Sequence, residues 1–167
     1  SKLPTPVPPR RQAPKVKEFI LKTITKQLDS NLIFVSTSPV GSQLIVVRYD
    51  DKEWRVCIDC RDINAITIAF LFPLPYTETY LHQAGGRWVY AKIDLKKGFH
   101  QLPLAAGSKY LSAFITEFGQ YAFNRVPFGF KNAPSGCQKR RGTGVRVGLV
   151  DIICLVYVDD ILIWGDA

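Results

Sequence analysis

Apolar positions recur along this chain in two rhythms. Val16, Phe19, Ile20, Ile24 and Leu28 fall at helical spacing, with Lys17, Lys22 and Lys26 off that face. Pro14 suits a first helical turn, and Asp29, Ser30 and Asn31 suit an end, so a helix with a solvated lysine face is expected from Pro14. Alternating runs follow a loop at 36–39. Residues 43–48 (QLIVVR) and 54–59 (WRVCID) predict a hairpin around the charged turn 49–53. A short helix is expected at 76–84, ended by Gly85 and Gly86. Residues 87–95 (RWVYAKIDL) then predict a strand with Val89, Ala91, Ile93 and Leu95 on one face and Trp88, Tyr90, Lys92 and Asp94 on the other. Further strand signals surround Gly119.

Two stretches break the pattern. Residues 1–14 hold five prolines and are expected to be extended. Residues 139–148 (KRRGTGVRVG) are basic and glycine-rich. A helix is wanted there, after Pro134 and before a long apolar strand. Yet each glycine in a helix interior costs about 1 kcal/mol against alanine, and no element is assigned.

The most informative stretch is 152–164 (IICLVYVDDILIW), where apolar runs at 152–158 and 161–164 flank Asp159 and Asp160. It reads as a hairpin with the acidic pair at its tip. Asp-Asp is a poorer tight-turn pair than Asn-Gly or Asp-Gly, because no glycine supplies the positive φ such turns need. Two carboxylates about 4 Å apart repel by roughly 4 kcal/mol at an effective dielectric near 20, and a divalent cation would reverse that sign. An acidic turn that merely ends a strand is the plainer reading; a magnesium site is the sharper one. Asp94 adds a third acid at a strand end.

Composition narrows the partners. The 167 residues are 47% hydrophobic, enough to build a core, and carry a formal charge of +8, which points to an anionic partner, with nucleic acid ahead of membrane. No apolar run approaches the roughly 20 residues of a membrane span. Cys57 and Cys60 have C-x-x-C spacing, but in a strand-like run they would point to opposite faces, and Cys137 and Cys154 form no second pair. Free thiols suit an intracellular setting. His82 and His100 have no partner at metal-ligand spacing. The lack of methionine suggests a piece of a longer polypeptide.

Five ordered stretches carry a resemblance: WRVCIDCRDINAIT (54–67), FPLP (72–75), KIDLKKGFHQLPL (92–104), FNRVPFGFKNAPSGCQ (123–138) and YVDDILIWGD (157–166). Together they resemble the reverse transcriptase of gypsy-class long-terminal-repeat retroelements, from about Pro14 to the end. The resemblance implies an α+β right-hand polymerase: an extended segment 1–13, fingers at 14–68 and 102–132, and palm at 69–101 and 133–167, with an antiparallel palm sheet packed on helices. The thumb is expected to be absent. It implies RNA-directed DNA synthesis by two-metal nucleotidyl transfer, with magnesium (manganese as an alternative) held by Asp94, Asp159, Asp160 and the Leu95 carbonyl. Arg48, Arg55, Lys97, Gly98, Phe99, Phe128 and Gly129 match nucleotide-binding positions, Phe99 being the ring that would clash with a ribose 2′-hydroxyl. Asp59, Arg61, Asn64, Tyr157 and Val158 match template or primer positions, with an Asp59–Arg61 ion pair as the plainer reading of the first two. The implied partners are an RNA or DNA template with primer, deoxynucleoside triphosphates, and the thumb, connection and ribonuclease H segments of a parent polyprotein. An intracellular particle or the nucleus is the expected location. Residues 139–148 depart from the amphipathic helix the family places there. A catalytically inactive remnant that binds nucleic acid or serves as an interaction domain is the alternative.

Overall fold

The computed structural model describes residues 3–49, 53–73, 76–146 and 153–166. The chain divides into two compact units, each built from two separate stretches: Ser1–Ile68 with His100–Lys131, and Ala69–Phe99 with Asn132–Ala167.

The first unit is a mixed sheet under one helix. Helix α1 (Pro14–Asp29) starts on its proline as expected. It ends in a Schellman motif: Asn31 takes φ 53°, its N–H donates to Leu28 O, and the Leu32 N–H donates to Gln27 O. Strands β1 (Ile33–Val35), β2 (Ser42–Tyr49), β3 (Glu53–Ile58), β5 (Phe114–Thr116) and β6 (Gly119–Phe123) are ordered β1-β6-β5-β2-β3. The expected hairpin is β2–β3, antiparallel with Val46 opposite Val56. Ile20 and Ile24 of α1 meet Ile33, Leu44, Phe114, Tyr121 and Phe123 in the core. Burying one such side chain contributes about 1.5–3 kcal/mol. Residues 3–13 carry no helix or strand and belong to this unit, fastened where Gln43 Nε2 donates to Pro8 O and where the Gln12 N–H donates to Glu117 Oε1. Helix α2 (Arg61–Ile66), not expected from the sequence, follows β3 directly.

The second unit carries helix α3 (Thr77–Ala84), strand β4 (Val89–Asp94), helix α4 (Ala133–Arg146) and strands β7 (Ile153–Tyr157) and β8 (Asp160–Gly165). Its sheet, order β4-β8-β7, is wholly antiparallel. Trp164, 1% exposed, packs with Leu155 and Ala84. Along β4 every residue is exposed. Helix α4 corrects the expectation for 139–148: the chain is helical through Gly136, Gly142 and Gly144 as far as Arg146. Tertiary contacts of its first two turns outweigh the low glycine propensity. Residues 147–150 lie outside the described residues.

Candidate active site

The sheet of the second unit brings the three sequence-selected aspartates to one end. Asp94, last in β4, stands directly opposite Asp160, first in β8. Directly opposed residues of an antiparallel pair share a face, with Cβ atoms about 4.5–5.5 Å apart. Beyond them, the Leu95 N–H donates to the Asp159 carbonyl at 3.1 Å, tying the exit of β4 to the β7–β8 turn. The acidic pair is not the turn itself. Tyr157 pairs with Asp160, so the tip is Val158–Asp159 and Asp160 already belongs to β8. Val158 supplies the positive φ (50°) that tight hairpin loops need at their first position. A β-branched residue adopts that conformation only under restraint from its surroundings.

Helix α4 provides the restraint. Gln138, 4% exposed, donates from Nε2 to Val156 O (2.6 Å) and accepts the Val158 N–H on Oε1 (2.9 Å). The Cys137 thiol donates to Val158 O at 3.4 Å, and burial pushes that thiol's pKa up. One turn on, Arg141 is only 9% exposed. Its Nη1 donates to Val158 O (2.5 Å) and Asp159 Oδ1 (3.0 Å), and its Nη2 to Gly98 O (2.8 Å). A Cβ on Gly98 would lie 2.1 Å from Asp159 Oδ1, so a larger residue there would have to push the Asp159 carboxylate aside. Lys97 before it is exposed, with φ 53°; Phe99 after it is half-buried. Gln138 and Arg141 were not singled out from sequence. Two polar residues three apart after Asn132 were the available signal, masked by the glycines around them.

This donor set suits a hard divalent cation in chemistry: carboxylates and a carbonyl, all oxygen. The side chains are turned to other partners. Asp159 is on Arg141, and Asp160 Oδ1 accepts from Lys92 Nζ at 3.1 Å in an exposed pair. Among the described residues, no three His, Cys, Asp or Glu side chains converge closely enough to hold an ion. The backbone register thus brings the three acids to one end of the sheet, and Arg141 and Lys92 pair with two of them.

The remaining selected residues lie in the first unit. Val47 stands opposite Arg55, and Arg48 opposite Trp54, so the two arginines are on opposite faces of the β2–β3 hairpin and are not brought together. Arg48 shares its face with Trp54, whose ring packs edge-on to Phe19 of α1 at 5.5 Å. Asp59 and Arg61 form a bidentate pair, Nη2 to Oδ2 at 2.6 Å and Nε to Oδ1 at 2.9 Å, and this hydrogen bonding holds the Asp59 carboxyl below its usual range. The pair is local to the start of α2. Asn64 Nδ2 donates to Gly129 O, and Asn64 Oδ1 accepts the Lys131 N–H, both at 2.8 Å, which fixes the loop bearing Phe128 and Gly129. Gly129 has φ 94° and backs onto Cys60 Sγ, 3.2 Å from where a Cβ would stand. The Phe128 ring meets His100 edge-on at 4.9 Å. Cys60 corrects the expected strand placement of C-x-x-C: it caps α2, buried, with its thiol pushed up to about 12 by burial, while Cys57 is exposed in β3.

The family described as reverse transcriptase (RNA-dependent DNA polymerase) matches residues 47–167. The chain is 35% identical over 154 residues to the retrovirus-related Pol polyprotein from transposon 412 of Drosophila melanogaster, covering 89% of this chain and 12% of that protein. It is 32% identical over 157 residues to the corresponding polyprotein from transposon gypsy of the same organism, covering 90% and 15%. Among solved structures, prototype foamy virus protease–reverse transcriptase aligns with a TM-score of 0.82 at 26% identity over 99% of this chain and 22% of that one. That enzyme is also known in complex with an RNA/DNA hybrid. The chain therefore spans a minor part of the length of these relatives. The two-unit α+β fold, the ordered motifs and the matched span agree: the chain belongs to the reverse transcriptase family, in its gypsy-class retroelement branch.

Proposed function

We propose that this chain supplies the fingers and palm of an RNA-directed DNA polymerase, its first unit serving as fingers and its second as palm. The observation that carries the reading is the register that sets Asp94 opposite Asp160, with Asp159 in the adjoining turn. Asp94, Asp159, Asp160 and the Leu95 carbonyl would hold two magnesium ions, which when bound acidify the primer 3′-hydroxyl and neutralise the leaving pyrophosphate. Tyr157 and Val158, at the end of β7 and its turn, present the surface on which a primer terminus would rest. Gly98 keeps the segment before Phe99 closely packed beside Asp159, and the half-buried Phe99 ring is the group that would exclude a 2′-hydroxyl. In the first unit, Arg55 offers a planar fork for triphosphate oxygens. Asn64 positions Phe128 and Gly129 through the loop it fixes. The formal charge of +8 suits a primer–template duplex, to which affinity falls steeply with salt.

Primer extension on an RNA template with deoxynucleotides and magnesium tests the reading. Extension by the chain, lost in Asp159→Asn, is expected; equal extension by that variant would sink the site. One observation favours a second reading, nucleic-acid binding without turnover: Arg141 and Lys92 occupy two of the three acids. Salt-sensitive primer–template binding without extension would establish it.

A further inference from the structure

We infer that Arg141 is a resident counter-ion that holds the Asp159 carboxylate away from divalent cations, so that its charge sets how tightly this chain takes metal. This rests on the reading of Asp159 as a metal ligand. Arg141 reaches into the acidic end from α4, and three acceptors converge on its guanidinium: Asp159 Oδ1, Val158 O and Gly98 O. Those acceptors belong to the turn and to the segment after β4, so the same group that neutralises Asp159 also ties its surroundings together. Its position is fixed from both ends. Gln138, one turn earlier on α4, is locked to the strand end by two hydrogen bonds, and at the other end the guanidinium lies close against Gly98, 2.9 Å from where a Cβ would stand.

A guanidinium this buried does not leave its anion freely, because an unpaired buried charge is costly. A cation that needs Asp159 must therefore compete with Arg141, and its apparent affinity is reduced by the fraction of molecules in which Asp159 is released. The Lys92–Asp160 pair differs: its side chains are 66% and 50% exposed, so solvent and salt screen it. Arg141 acts through Asp159 and is a positioning residue.

Mn2+ titration, following free ion by electron paramagnetic resonance, tests this on the whole chain. Arg141→Gln keeps hydrogen-bond donors for the two carbonyls and removes the charge; it should tighten Mn2+ binding about tenfold, the change expected if about one molecule in ten has Asp159 released. Arg141→Lys, which keeps the charge, and Lys92→Gln, which removes a screened one, should each stay within about twofold of wild type. Arg141→Met repeats the neutral arm without donors, and circular dichroism confirms that each variant is folded. Unchanged affinity in both neutral variants would overturn the inference, as would equal tightening by Arg141→Lys. Asp159→Asn separates the two readings: if it leaves Mn2+ affinity unchanged, Asp159 is not a ligand and the site itself fails; if it weakens binding while the neutral variants do not tighten it, the role of Arg141 alone fails.

Discussion

Gln138 brackets Val158 from behind: the same side-chain amide accepts the Val158 N–H and donates to the carbonyl two residues earlier. The bracket holds a β-branched residue at φ 50° in the two-residue loop that carries Asp159. Gln138→Leu fills the space but leaves a buried donor and a buried acceptor unmatched, each costing about 1–3 kcal/mol. A loss of about 2–4 kcal/mol in urea unfolding is expected. An unchanged unfolding midpoint would show that the turn holds itself.

Gly98 is the tightest point of the site. A Cβ there would stand 2.1 Å from Asp159 Oδ1 and 2.9 Å from Arg141 Nη2. Gly98→Ala should destabilise by about 1–3 kcal/mol through overpacking and lower any Mg2+-dependent extension. Gly107→Ala, where an added Cβ meets nothing within 4 Å, is the matched control. Equal thermal midpoints for the two variants would remove the steric argument.

The Asp59–Arg61 pair makes a pH prediction. Hydrogen bonding to Arg61 depresses the folded Asp59 pKa. Such a group contributes stability that is present above its unfolded pKa and lost as pH falls through the folded one. The stability gap between wild type and Arg61→Gln should therefore be measurable at pH 6 and close as the pH drops below the usual carboxylate range. A gap that persists at pH 2 would point to packing rather than charge.

Thiol chemistry separates the two halves of C-x-x-C. Cys57 is exposed, whereas Cys60 is buried and its pKa is pushed to about 12. The thiolate is the reactive form, so iodoacetamide at pH 8 should modify Cys57 in the native chain and spare Cys60. Mass spectrometry of the digested protein reads the result. Equal labelling would mean that the Cys60 site opens readily.

Helix α1 was legible because it buries one face and so repeats its apolar residues with a period of 3.6; the β2–β3 hairpin and β4 were legible from the alternation of their residues, although β4 is exposed along its whole length. Asp94 and the Asp159–Asp160 pair were legible by the motifs around them, though not their convergence, which depends on pairing residues 66 positions apart. The misses have physical causes. Helix α2 is six residues long and begins where a strand-like run ends, too short to show a period. Helix α4 is held by what Gln138 and Arg141 reach rather than by an apolar stripe, so its composition argued against it. The turn was misplaced by one residue because Val158 carries the left-handed conformation that a glycine or asparagine would have announced. Arg48 and Arg55 looked alike in sequence; only the cross-strand register assigns them to opposite faces.

The two units interleave along the chain, and this gives the protein an order of assembly. Every element of the first unit lies before Asn132, so a ribosome that has delivered residues up to Lys131 has delivered that unit whole. At the same moment the second unit has only α3 and β4, a strand with its pairing partner still unmade. Asp94 thus waits for a partner that arrives 66 residues later. The acidic end of the sheet is joined only after the whole first unit has been made.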